Sequence, residues 1–173
     1  MKNTNHSKSF YTNGYIIGKI ENLNYFQKIE KEISKIVLKF LNLKKKPYFL
    51  LENLHKYIDY EQINLLRVEV YKQLNQKKWF REIYFSLAKK TIQDIVGDEL
   101  AMQSNVNFSF QLPNDSTSQL SIHADSLSGE SMFQVVLWIP LMQVSKTSSM
   151  YVLSKDESIK NIKNLKKFQH HGM

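Results

Sequence analysis

In the stretch QLSIHADSLSGE (residues 119–130), an imidazole and a carboxylate, His123 and Asp125, stand two positions apart in a β-prone run. Residues i and i+2 of a strand project to the same face, so a neutral nitrogen and an anionic oxygen would sit side by side there. These are two of the three donors of a 2-His-1-carboxylate facial triad, which holds Fe(II) and leaves positions open for a cosubstrate and O2. Taken alone, His-x-Asp is equally a hydrogen-bonded or solvent-exposed pair that holds nothing. Asn107 and Gln111 are candidates to line the same cavity. The only later histidines, His170 and His171, are weak candidates for the third ligand and otherwise belong to a tail.

Periodicity divides the chain. Residues 22–42 place Phe26, Ile29, Ile33, Ile36, Val37 and Phe40 three or four apart, which predicts an amphipathic helix. Residues 60–75 repeat the pattern with Ile63, Leu66, Val70 and Leu74, and residues 79–96 with Phe80, Ile83, Leu87, Ile92 and Ile95, with Gly97 as the stop. The aromatics Tyr71, Phe80 and Tyr84 read as core packing, and His55 as structural or exposed. Asn13-Gly14 signals a turn before a short β-prone run, Tyr15 to Ile17.

Past Gly97 the period becomes two. NVNFSFQL (105–112) alternates Asn105, Asn107, Ser109 and Gln111 with Val106, Phe108, Phe110 and Leu112, the pattern of a strand with one apolar face. QLSIHAD, FQVVLWIPL and SMYVLS read as three further strands. The expectation is one domain, 1–173: a mainly helical part (1–100), strands with His-x-Asp (101–154) and a Lys-rich tail (155–173).

Composition narrows the function classes. The 173 residues carry 24 Lys and Arg against 16 Asp and Glu, a net charge of +8, and no cysteine. Disulfides and thiolate chemistry are therefore excluded. Only Arg67 and Arg81 are arginines, so the bidentate donors that nucleic-acid readers depend on are scarce and no nucleic-acid partner is expected. The lysines read as a solvated surface or as a basic face for an anionic, nucleotide-linked substrate. There is no run of about 18 apolar residues and no secretory h-region, so neither a membrane span nor export is expected, and the cytoplasm is the default.

The series HAD…VVLWIPLMQVSKTSSMYVLS resembles the phytanoyl-CoA dioxygenase-like branch of the Fe(II)/2-oxoglutarate oxygenases. Leu137-Trp138-Ile139-Pro140-Leu141 matches the family's W-x-P/A-L segment, and Ser148 to Ser154 its N-G-x-M/L-x-V/I segment. NGYIIGKI looks like the opening G-Y strand. The likeness is specific over 103–154 and loose elsewhere, and is closest to a subgroup tied to bacterial surface-carbohydrate biosynthesis. It implies an α+β domain, with N-terminal helices on a double-stranded β-helix (jelly-roll) core. It also implies a dioxygenase using Fe(II), 2-oxoglutarate and O2 on a carbohydrate or nucleotide-sugar-like small molecule. His123 and Asp125 carry over as iron ligands. Trp138 carries over as a cosubstrate neighbour or plain core packing, and Gln103 and Asn107, with Gln111, as cosubstrate contacts.

Gln143 and Ser154-Lys155-Asp156-Glu157 depart from the family pattern, which has Asp and P-G-S-H there. The family's later His, and the Arg that clamps the 2-oxoglutarate carboxylate, find no match, since no Arg follows Arg81. The chain is thus expected to be the N-terminal part of an oxygenase, cut after about four core strands and inactive alone, with open β-edges that invite association. The rival expectation is a non-catalytic carbohydrate-binding module on a degenerate oxygenase fold. A cupin-type isomerase would need a denser His cluster.

Overall fold

The computed structural model describes residues 6–44, 50–115 and 122–169, and its regular elements are helices. Helix α1 spans His6–Asn13, α2 Leu23–Phe40, α3 Tyr60–Asn75, α4 Phe80–Phe85, α5 Lys89–Val96 and α6 Lys155–Gln169. Short 3-10 turns lie at Leu54–Lys56, Asp125–Ser128 and Lys146–Ser148. No helix of the described residues is long and apolar enough to cross a membrane.

The core forms where α2, α3 and α4 meet. Ile29, Ile33, Ile36 and Val37 of α2, and Ile63, Leu66, Val70 and Leu74 of α3, are buried, as the 3.6-residue period predicts. Phe80, Ile83 and Leu87 join them, with Leu50, Leu51, Leu54 and Ile58 from the connection. Asn22 starts α2 by accepting the Tyr25 N–H at 3.1 Å, a side-chain N-cap.

One helical expectation needs correction. The helix expected over 79–96 is interrupted at 86–88. The Glu21 carboxylate accepts the Lys90 N–H, the Thr91 N–H and the Thr91 hydroxyl, each at 2.9 Å, and so caps a separate α5. Burial alone would raise the Glu21 carboxyl; these hydrogen bonds outweigh it and hold the group below the usual range. Residues 6–13 form a helix, α1, just ahead of the turn expected at Asn13-Gly14. Its Phe10 carbonyl accepts the Gly14 N–H at 2.7 Å, with Gly14 at φ +83 in the region glycine favours.

The jelly-roll core is overturned: among the described residues there is no strand, sheet or barrel. The four expected strands are extended or irregular segments instead, and part of QLSIHAD lies outside the described residues. The period of two is nonetheless visible in burial. Val106 and Leu112 are buried and Phe108 and Phe110 partly so, while Asn107, Ser109 and Gln111 are exposed. Phe108 stacks on Phe80 with centroids 5.6 Å apart.

Helix side chains occupy backbone groups that a ladder would otherwise use. Arg67 donates to the Phe110 carbonyl, with its Nε at 3.0 Å, and Arg81 donates to the Met102 carbonyl. Asn75 donates to the Val106 carbonyl at 3.0 Å and accepts the Val106 N–H at 2.8 Å. The Tyr84 hydroxyl donates to the Leu137 carbonyl at 2.7 Å, and burial pushes that phenol up to about 12. Both arginines thus grip backbone. The apolar face of 106–112 is satisfied by helices, so no neighbouring strand is needed to cover it.

Candidate functional site

Ala124 has extended backbone, φ −131 and ψ 127, and this one residue keeps His123 and Asp125 on the same side, as the i, i+2 rule requires. Beyond it the chain turns into the 3-10 stretch Asp125–Ser128 in place of a continuing strand. Gly129, at φ +94, ends the turn, and the Asp125 carbonyl accepts the Glu130 N–H at 3.2 Å.

The two side chains converge: His123 Nε2 stands 3.5 Å from Asp125 Oδ1, and each is 43% exposed. The other carboxylate oxygen is held by Gln134, whose Nε2 donates to Asp125 Oδ2 at 3.2 Å. Oδ1 is thereby turned toward His123. Gln134 had no sequence signal, because its role depends on the turn at Ser131–Gln134 folding back, closed by Gln134 N–H to Ser131 O at 3.2 Å.

No group of three or more His, Cys, Asp or Glu that could hold a metal ion occurs among the described residues. The three-donor iron site implied by the family resemblance is therefore not assembled from them. His170 and His171 lie outside the described residues. Gln103, Asn107 and Gln111 are exposed on the solvent side of their segment, and Trp138 is 44% exposed, which corrects its reading as core packing. The strand face that would have gathered these four around the pair is absent among the described residues.

A second His–carboxylate pair, His6 Nδ1 to Asp94 Oδ2 at 2.9 Å, links α1 to α5 and reads as a structural tie. A depression of about 370 Å³ is lined by Lys39, Gln73, Gln76 and Lys77. Lys77 there is engaged with Glu32 at 2.9 Å, which holds that carboxyl below its usual range.

No family model matches the chain, and neither does any curated protein or solved structure.

Proposed function

We propose that the chain holds Fe(II) through His123 and Asp125 and serves a 2-oxoglutarate-dependent oxidation of a carbohydrate or sugar-linked small molecule. The supporting observation is the 3.5 Å approach of His123 Nε2 to Asp125 Oδ1 on an exposed turn. Two donors about 2.1 Å from one first-row cation, at tetrahedral or octahedral angles, stand about 3.0–3.5 Å apart. The pair fits one cation, and imidazole with carboxylate is a donor set that suits iron. When bound, iron with 2-oxoglutarate and O2 supplies oxidation of a substrate C–H bond, with succinate and CO2 as co-products.

The chain's own residues have narrower tasks. His123 offers the Nε2 lone pair, which requires its proton on Nδ1. Asp125 offers Oδ1 and its negative charge, and Gln134 holds the carboxylate in that orientation, the outer-shell support that metal ligands depend on. Trp138, Asn107, Gln103 and Gln111 remain proposed cosubstrate neighbours on the strength of the sequence resemblance.

The test is calorimetric or EPR titration of the purified chain with Fe(II), or with Mn(II) in its place. One site is expected, abolished in His123→Ala and in Asp125→Ala and weakened about 10–100-fold in Gln134→Ala. Equal affinity in wild type and both ligand variants would remove the assignment. Release of succinate from 2-oxoglutarate then separates catalysis from metal binding alone. Carbohydrate binding unaffected by chelator would favour the non-catalytic reading.

A further inference from the structure

In the segment 135–139, Val135, Leu137 and Ile139 are partly buried, while Val136 is 65% and Trp138 44% exposed. This alternation marks an extended run. In such a run the N–H and C=O of one residue point to one edge and those of its neighbours to the other. Leu137 turns its carbonyl toward Tyr84 of α4. The opposite edge carries the backbone groups of Val136 and Trp138, and among the described residues these make no hydrogen bond. Residues 131–145 include no charged side chain in a chain of net charge +8. None of the usual guards of an edge strand, a lysine or an inward charge, is present, apart from Pro140 at its end.

We propose that this edge is an interface between two copies of the chain, formed by antiparallel pairing of the two 135–139 segments about a twofold axis at Leu137. In that register Val136 of each copy faces Trp138 of the other. The paired residues exchange the N–H and C=O groups left open in the monomer, and each side gains an aromatic–β-branched cross-strand pair.

The edge itself supplies what it asks of a partner: open backbone groups at a spacing of two, an apolar outer face and no charge. Like charges therefore do not meet at the axis, despite the net charge. Met132, Phe133, Val136 and Trp138, each at least 44% exposed, lie within seven consecutive residues, so uncovered apolar side chains cluster along and beside this edge. The 106–112 segment is the poorer candidate, since its outer side chains Asn107, Ser109 and Gln111 are polar. The pairing does not depend on the metal assignment.

The test is sedimentation of the full chain from low to high concentration, with hydrogen exchange read at single amides. The expected result is a molar mass that doubles with concentration while the Val136 and Trp138 amides slow in step. Val136→Asp, at an exposed position, is expected to stay monomeric with unchanged helical circular dichroism. A monomer at every concentration would overturn the proposal, as would a dimer whose 136 and 138 amides exchange freely. A monomer that instead captures an uncharged extended peptide on this edge would also overturn it, in favour of a foreign strand.

Discussion

In helices α2, α3 and α4 the backbone bonds mainly to itself, and their apolar faces share one core. Over 106–112 the chain buries alternate side chains on the same core, while helix side chains take up backbone groups at Met102, Val106 and Phe110 and, farther along, at Leu137. Burial and backbone closure coincide in the first region and separate in the second. The first should unfold cooperatively, whereas the second should open locally at lower cost.

Phe80→Ala should have the largest effect, because Phe80 is 1% exposed and stacks on Phe108. A loss of about 3–5 kcal/mol by urea unfolding is expected, with both regions affected. Asn75→Ala separates them. It leaves the Val106 N–H and C=O without their partner, at a cost of about 1–3 kcal/mol. Limited proteolysis should then cut within 103–112 while the helical circular dichroism persists; unchanged protection there would show that another contact holds the segment.

Glu21→Ala should cost about 0.5–1 kcal/mol, the low end for a lost helix cap because the carboxylate is exposed. The sign follows from a folded-state pKa below the ordinary 4.5. The ionised group stabilises the fold fully above that value and loses its contribution as pH falls through the lowered pKa. Wild type and variant should therefore converge in acid. A gap that persists at low pH would contradict the carboxylate cap. His123→Ala and Asp125→Ala should stay within about 0.5 kcal/mol of wild type, since both side chains are 43% exposed. A larger loss would turn the pair into a structural contact.

Helices α2 and α3 were legible because their apolar positions repeat every three or four residues and those faces are the ones buried. The break at 86–88 was not, since the cap on α5 comes from Glu21, 69 residues from Lys90. Helix α1 lacks an apolar period, and what places it is packing on α5 and α6 and the His6–Asp94 contact. For α6 a local signal existed: Ser154 and Glu157 lie three apart, and the Ser154 hydroxyl accepts the Glu157 N–H at 3.3 Å.

The alternation over 106–112 gave the buried face correctly and the architecture wrongly. A period of two reports which side chains turn inward; it does not say whether the backbone finds a strand or the side chains of Arg67 and Asn75. The His123–Asp125 approach was legible in the same partial way. One extended residue, Ala124, is enough to bring the pair together, whereas the turn that adds Gln134 is set by Gly129 and by the fold-back at Ser131.

Residue-resolved amide exchange on the dilute chain tests most directly whether the extended region is held by helix side chains and not by a ladder. The Val106 amide, given to the Asn75 side chain, should exchange slowly, while Asn107 and Ser109 exchange near the unprotected rate. Slow exchange at Asn107 and Ser109 as well would mean that a neighbouring strand pairs with that edge, and would contradict the account.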